Sequence, residues 1–448
     1  MSELQDIASG AVKLALKLGA TDAECTISEG EEFSAGVRMR EVETLKQAGS
    51  RGAGIRVLIG RHTGSSHTSD LTREGIENMV RAALGVARIT TEDPFAGLPE
   101  DSDFGKLAID LQLYDDAIAR LEPDWKMGEA LQAEEAALSA DPRIQNSEGA
   151  SFDSYLGTQV FANSRGFAGS YRTSSCALSV APVAKSNGSM ERDYWHSASR
   201  RAAGIDSPAE VGRRAAARAL RRLNPRKVAT QKAPVIFEPR TARALLGELC
   251  DAVNGGAIYR DASFLAGKLG ERIGSDALTI VDDATMPGLF GSSPFDDEGV
   301  ITRRNVIVER GVLKSYLLNT YCARKLGLKT TGSASRGLAG NAGVGPGNFF
   351  IQPGAVNEAD MIGGVRDGLY VTELIGASAN TVTGDYSSGA AGLWIENGEL
   401  AYPVSEITIA GNLQQMLMDV QQAGSNLEFR HSIESPAILI GEMTISGR

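Results

Sequence analysis

The chain has 448 residues, which is long for a single core and suggests two domains. Hydrophobic residues make up 42% of it and charged residues 23%, an ordinary globular composition, and the formal net charge is −11. This charge argues against non-specific nucleic-acid binding, because a phosphate backbone is bound by clustered cations. No apolar run approaches a membrane span, and the acidic start does not resemble a signal peptide. We therefore expect a cytoplasmic protein without a membrane or direct nucleic-acid partner.

The N-terminal half of the sequence predicts helices that pack on a sheet. Apolar residues recur at helical spacing near the start of the chain, again after Asp70 and over residues 127–140, and residues 52–60 are strand-like. The clearest helix start is Ser207. A proline follows it at the first helical position, and Glu210 is placed to reach back to the cap.

The C-terminal half is richer in strands and tight turns. Asn397 and Gly398 separate two apolar runs, which predicts a two-residue hairpin. Helices are expected over residues 241–253 and, more briefly, near 315–326 and 413–421. The many strand and turn signals between these helices indicate a β-rich domain.

The change of pattern sets the predicted domain boundary. Asn224 and Pro225 end the last N-terminal helix and begin a polar stretch. The sequence thus predicts an α+β protein. Its N-terminal domain, residues 1–228, is mixed α/β with helices on a sheet, and its C-terminal domain, residues 229–448, is β-rich.

Long runs in the C-terminal half resemble one protein family. Residues 381–412 read TVTGDYSSGAAGLWIENGELAYPVSEITIAGN, and residues 282–318 contain GLFGSSPFDDEGVITRRNVIVERGVLKSYLL. Both runs are similar to the TldD/PmbA family in its PmbA/TldE-like branch, and the N-terminal half resembles the family more loosely. The resemblance implies a barrel-like C-terminal domain and a two-subunit zinc metalloprotease that degrades unfolded peptides. The family is also described as modulating DNA gyrase.

The zinc ligands that the resemblance implies for the TldD-like subunit are missing here. That subunit carries a His-Glu-x-x-x-His motif and a distal cysteine. In this chain the histidine positions fall on Gly247 and Ala252, neither of which offers a zinc donor, and residues 425–433 contain no cysteine. We therefore expect no catalytic residue and no metal ligand in this chain. Zinc is expected in a TldD-like HExxxH partner, with which the chain forms a heterodimer; the isolated chain could form a homodimer.

Glu248 and Asp251 are the remaining candidates on this helix. They stand three residues apart and share its polar face. They form either a carboxylate pair that lines a groove or a solvated helix surface. Two carboxylates without a nucleophile, histidine or metal are weak hydrolytic machinery. A peptidase that acts alone through these two carboxylates and a histidine is therefore a lesser hypothesis, and a non-proteolytic regulatory protein acting on gyrase is the main alternative.

The histidines and cysteines do not cluster in the sequence. His62 and His67 would lie on opposite faces of a strand, because their separation is odd. His196 is expected on a half-buried strand, and His431 lies close to the expected cysteine position but is not a site by itself. The four cysteines have no C-x-x-C spacing and are expected to be reduced and mostly buried; they are Cys25, Cys176, Cys250 and Cys322.

Three further features have more than one interpretation. The glycine-rich residues 337–354 lack the Gly-Lys-Ser/Thr ending of a phosphate loop, so a conformationally demanding loop is favoured over a nucleotide site. The basic residues between 213 and 227 are expected to form a solvated or subunit-facing surface. Unpaired strand edges in the β-rich domain are expected to receive extended peptide by strand addition.

Overall fold

The computed structural model describes residues 2–447, apart from the side chains of residues 377 and 378. Its described helices are α1 (Ser2–Lys17), α2 (Arg73–Ala87), α3 (Asp116–Ala119), α4 (Pro123–Leu138), α5 (Pro208–Leu220), α6 (Pro239–Ala252), α7 (Gly255–Ile258), α8 (Thr320–Leu326), α9 (Glu358–Gly363) and α10 (Leu413–Met418). Among these residues, no helix has both the length and the apolar character needed to span a membrane.

The described strands fall into an N-terminal and a C-terminal group. The first comprises β1 (Asp22–Arg38), β2 (Glu41–Ile59), β3 (His62–Thr68), β4 (Ile144–Asn163), β5 (Ala168–Ser186), β6 (Ser189–Arg192) and β7 (Trp195–Ser199). The second comprises β8 (Gln231–Phe237), β9 (Ile280–Asp283), β10 (Arg304–Glu309), β11 (Val312–Leu313), β12 (Ala334–Ser335), β13 (Gly343–Val344), β14 (Phe349–Ile351), β15 (Asp367–Ala379), β16 (Asp385–Glu396), β17 (Glu399–Asn412), β18 (Val420–Ala423), β19 (Ile433–Glu434) and β20 (Ile438–Ser446). The predicted α+β class is confirmed.

The N-terminal strands form one antiparallel sheet with helices on one face. Its order is β3-β2-β1-β4-β5-β6, and β7 pairs with β5. Helices α1 and α2 cover one end of the sheet over a core that includes Ile27 and Ile55. Helices α4 and α5 cover the other end over Phe152 and Leu178. The predicted arrangement of helices on a sheet is therefore present.

Two helix starts differ from the prediction in detail. Ser207 caps α5 through a hydrogen bond from the Glu210 backbone N–H, as expected. The Glu210 carboxylate, however, pairs with arginines on the next turn instead of reaching back to the cap. Helix α2 begins at Arg73, after a Thr72 cap, because Asp70 accepts the Thr72 N–H in the turn before the helix.

Five strands of the C-terminal part close into a barrel. β17, β16, β15, β8 and β20 pair in that order, and β20 also pairs with β17. The predicted hairpin at Asn397 and Gly398 joins β16 to β17, and both residues have positive φ angles. The two shorter predicted helices are present as α8, which begins later than expected at Thr320, and α10, which ends earlier than expected at Met418. All barrel strands follow residue 229, and the division at 228/229 into two domains stays a prediction.

Barrel closure reduces the strand edges that are available in the C-terminal part. β17 pairs with β20 over residues 408–410, and β18, which pairs with β20 alone among the described strands, is an open edge of four residues. The second C-terminal sheet ends in β11 and β19, each two residues long. Strand addition in the β-rich domain stays a prediction, and a longer open edge lies in the N-terminal sheet. β3 pairs only with residues 53–59 of β2, so residues 41–52 pair on one side alone among the described strands.

The basic run between residues 213 and 227 is largely a junction within the chain. Arg218 and Arg221 donate to the buried carboxylate of Glu238, at distances of 2.5 and 3.0 Å for the closest nitrogens. Arg222 pairs with Glu373 of the barrel. The expectation of a solvated or subunit-facing surface is therefore wrong for these three arginines, because carboxylates of the C-terminal part neutralise them.

A second junction joins the glycine-rich loop to the N-terminal sheet. Arg56 of β2 donates to the Asn341 side chain at 3.0 Å. Arg56 and Arg336 both pair with the fully buried carboxylate of Glu24. Burial raises the pKa of Glu24, but the two guanidinium groups outweigh it and the pKa is lowered overall. Residues 336–341 thus serve packing between the two halves of the chain.

Candidate functional site

The helix that carries the degenerate motif lies against the barrel. α6 begins at Pro239, two residues before the predicted start, and ends at Ala252. Its apolar face, which includes Leu245 and Leu249, is buried in the barrel core. Because Glu248 is half-buried and Asp251 is exposed, the opposite face borders solvent.

The two positions expected for histidine have different surroundings. A Cβ atom at Gly247 would meet no atom within 4 Å outside its neighbours and the helix backbone. Ala252, in contrast, has no exposed surface and belongs to the barrel core. A Cβ atom therefore fits at position 247, whereas position 252 has no room for a side chain as large as histidine.

Glu248 is the one member of the motif that remains. Burial raises its pKa, while a hydrogen bond from the Ala379 backbone acts in the opposite direction. A raised carboxyl pKa can suit a general acid or base, but it also arises where a side chain is merely half-covered. Glu248 and Asp251 therefore stay predicted groove residues, without an assigned chemical role.

The loop that was expected to carry a cysteine packs against the first half of α6. His431 Nδ1 lies 2.8 Å from Glu434 Oε1. The Arg243 guanidinium contacts His431 Nδ1 and lies 3.9 Å from Glu434 Oε1. The positively charged side chain of Arg243 therefore contacts both the Glu434 carboxylate and the His431 imidazole.

A second histidine joins this cluster from the N-terminal half. The rings of His196 and His431 are 4.9 Å apart between centroids. Burial lowers the pKa of His196 to about 3, and the guanidinium group of Arg430 adds to this effect. His196 is therefore neutral at physiological pH. Sequence analysis predicted its half-buried strand but missed this contact, because residues 235 positions apart give no local signal.

The remaining histidines and the cysteines have structural surroundings. His62 and His67 lie on β3, and the ring of His62 bonds the Thr90 carbonyl oxygen at 2.7 Å. All four cysteines are free and buried, as predicted. Burial raises the pKa of Cys25 and of Cys176 to about 12. These thiols therefore stay protonated and unreactive at neutral pH.

The residues at the motif do not fit a zinc ion. Within the described part of the chain, no three His, Cys, Asp or Glu side chains are grouped so that they could hold a metal. His431 and Glu434 have the right chemistry for ligands. Their contacts to Arg243 place a positive charge beside them, which opposes binding of a divalent cation.

Comparison with known proteins identifies the family of the chain. Three models described as parts of the PmbA/TldA metallopeptidase match it: domain 1 over residues 23–87, the central domain over 116–223 and the C-terminal domain over 230–447. The chain is 41% identical to Metalloprotease PmbA of Escherichia coli O157:H7, over 99% of this chain and 96% of that protein. The chain belongs to the TldD/PmbA family, in its PmbA/TldE-like branch. The Haemophilus influenzae PmbA homologue is 39% identical over the same shares.

Solved structures of TldD/PmbA proteins have the same fold. A candidate DNA gyrase modulator from Bacteroides thetaiotaomicron superposes with a TM-score of 0.93 at 30% identity, covering 100% of both chains. A similarly described protein from Thermotoga maritima gives 0.90 at 26% identity, covering 99% of this chain and 100% of that one. TldE from Thermococcus kodakarensis gives 0.89 at 21% identity over 98% and 100%, which shows the common fold. This chain is thus a member of a metallopeptidase family. Its own motif helix, α6, lacks both histidines.

Proposed function

We propose that this chain is the non-catalytic, PmbA/TldE-like subunit of a cytoplasmic two-subunit zinc peptidase that degrades unfolded peptides. The single observation that carries the proposal is the state of the motif helix. Gly247 and Ala252 offer no metal donor, and Ala252 lies in the core, where a ligand side chain has no room.

The surroundings of α6 support the same conclusion. Arg243 hydrogen-bonds with His431 and pairs with Glu434, so both side chains are already engaged within the chain. Glu248 and Asp251 have no histidine neighbour in a metal-binding group of the described residues. A peptidase active alone through these carboxylates would need a nucleophile or metal that this site does not supply.

The proposed partner is a TldD-like subunit with an HExxxH motif. It would supply the zinc and the glutamate that activates water. This chain would complete the enclosure around the active site and help to admit extended peptide. Because the two kinds of subunit share one fold, an interface of the same form could also produce a homodimer when the partner is missing.

The proposal is tested by co-purification. The chain is mixed with an HExxxH-bearing homologue from the same cell, and molar mass and zinc content are measured after size exclusion. We expect a 1:1 complex that contains one zinc per HExxxH subunit, and no stoichiometric zinc in this chain alone. Two separate species in the mixture, or stoichiometric zinc in the isolated chain, would contradict the proposal.

The alternative function is regulation of DNA gyrase without proteolysis. It is favoured by the description of the Bacteroides and Thermotoga relatives as candidate gyrase modulators. With a net charge of −11, the chain would act through gyrase itself and not through DNA. A change in gyrase supercoiling caused by this chain alone, without an HExxxH subunit, would support this alternative.

A further inference from the structure

We propose that a charged trough across the N-terminal sheet binds an extended peptide segment that carries both an acidic and a basic group. The trough lies on the helix-covered face, in the gap between the α1/α2 pair and the α4/α5 pair. It consists of two adjoining cavities of about 610 and 690 Å³, and both are lined by Tyr114 and Arg172. The inference rests on the proposed function for the class of its ligand, an unfolded peptide.

The strand register arranges the floor of the trough in two rows. Residues that are direct cross-strand partners present their side chains on the same face of the sheet. The first row, from β2 through β1 and β4 to β5, is Arg51, Glu29, Thr158 and Arg172. The second row is Gly49, Glu31, Leu156 and Ser174.

The charges on this floor form no salt bridges with their neighbours in the described part of the chain, although Arg51 contributes to the lowered pKa of Asp70. Among the described residues, none of Glu29, Glu31, Arg51 and Arg172 takes part in a salt bridge, although Glu29 and Arg51 are cross-strand partners. Arg172 instead stacks on the Tyr114 ring, 3.4 Å from its centroid. The neighbouring Glu32, on the other face of the same strand, does pair with Lys46. The trough is therefore a place where both signs of charge are available to a ligand.

The mixture of charges defines the ligand class. Glu29 and Glu31 repel a purely anionic ligand such as a nucleotide, and Arg51 and Arg172 repel a purely cationic one. A ligand with both charges can pair with both sets. Three strand spacings of about 4.8 Å separate β2 from β5, so the floor is about 14 Å long and matches about four residues of extended chain.

The floor of the trough ends at the open edge of β2. Gly49 and Arg51 line the trough and also belong to the part of β2 that pairs on one side only. A peptide on the floor crosses the strands, whereas strand addition would place it parallel to β2, so this edge can bond only the main-chain groups at one end of the peptide. Amide groups at that end favour a peptide over other ligands with mixed charge.

The test measures binding to the full chain in the absence of any partner subunit. The probes are fluorescein-labelled, unstructured eight-residue peptides of glycine and serine with one lysine and one glutamate, with two lysines, or with two glutamates, followed by anisotropy. The trough variant is Glu29→Lys with Glu31→Lys. Its control is Glu3→Lys with Asp6→Lys, which makes the same change in net charge on the exposed face of α1.

We expect saturable binding of the mixed-charge peptide, weaker binding of the other two, and about a tenfold loss of affinity in the trough variant, as for one lost ion-paired contact. The control should bind as the wild type does. Arg172→Gln serves as a second trough variant and should also weaken binding, which keeps the test valid if the double variant folds poorly. Equal weakening in the trough variant and the control, or no saturable binding, would overturn the proposal.

The same variants separate this inference from the proposed function. Cleavage of the mixed-charge peptide is measured after an HExxxH-bearing homologue is added. Binding that depends on the trough without any cleavage would contradict the proposed function and leave the trough standing. Cleavage combined with normal peptide binding by both trough variants would overturn the trough alone.

Discussion

Leu338 lies directly against Gly54. A Cβ atom at position 54 would come to 1.4 Å from the carbonyl oxygen of Leu338, a distance that no side chain can occupy. The close approach of the glycine-rich loop therefore explains why β2 has glycine at positions 52 and 54. Two features that look unrelated in the sequence are the two sides of one contact between the halves of the chain.

Substitution of Gly54 by alanine should disrupt this contact. Because the obstacle is backbone and not a flexible side-chain end, we expect a loss of about 1–3 kcal/mol or more in the free energy of unfolding, as for overpacking. Gly85→Ala in the exposed part of α2 is the control, since a Cβ there meets nothing within 4 Å; it should stabilise by about 0.5–1 kcal/mol. Urea denaturation measures both, and a Gly54→Ala variant as stable as the control would contradict the contact.

Histidine substitution at the two motif positions should have opposite effects. Gly247→His should fold normally because the site is open, whereas Ala252→His should destabilise strongly because Ala252 is fully buried. We expect that the double variant will not bind zinc stoichiometrically. Thermal midpoints and zinc content after dialysis check both statements. A stable double variant with one tightly bound zinc would show that the motif helix still has a usable metal geometry.

The junction at Glu238 should contribute substantially to stability. Its buried carboxylate accepts hydrogen bonds from Arg218 and Arg221, so Glu238→Gln leaves Arg221 without its counter-charge and Arg218 with Asp193 alone. We expect a loss of about 3–5 kcal/mol, as for a broken buried ion pair. Glu210→Gln, which removes an exposed pairing with Arg213 and Arg214, is the control and should change little. Similar unfolding midpoints in urea for the two variants would contradict the assignment of Glu238 to a buried junction.

Asp282 should make stability depend on pH near neutrality. Burial raises its pKa to about 7 in the folded chain, against about 4 in an unfolded chain. The folded state therefore holds a proton that the unfolded state has lost, and stability falls as pH rises from about 4 to about 7. Asp282→Asn stays neutral and can still accept the Gly347 N–H.

The Asp282 prediction is checked by thermal midpoints at pH 5.5 and pH 8. The drop between the two pH values should be smaller in Asp282→Asn than in the wild type. Asp276→Asn, at an exposed carboxylate, should keep the wild-type drop. An equal drop in all three proteins would show that Asp282 ionises normally in the folded chain.

Local sequence signals predicted individual helices and turns. They did not predict contacts between segments that are distant in the sequence. The Ser207 cap and the Asn397-Gly398 hairpin follow from residues a few positions apart, which is the range over which capping and turn preferences act. Closure of the barrel depends on the pairing of β17 with β20, and nothing in either strand specifies that partner. The open edge of β2 was likewise not anticipated, because it depends on how far β3 pairs along β2.

The same limit applies to the candidate site. The loss of the histidines at positions 247 and 252 could be inferred from the resemblance alone. The contact of Arg243 with His431 joins residues 188 positions apart, and the basic run that looked solvated is neutralised by Glu238 and Glu373 across the junction. Long-range charge pairing leaves no periodic pattern in a single sequence.

The most direct test of the non-catalytic subunit is cleavage of an unstructured peptide by the purified chain with zinc, alone and mixed with an HExxxH-bearing homologue from the same cell. Our account predicts cleavage in the mixture and none by this chain alone. It also predicts that a chelator abolishes the activity of the mixture. Cleavage by this chain alone, abolished by a chelator, would contradict the account and require a metal site formed without positions 247 and 252.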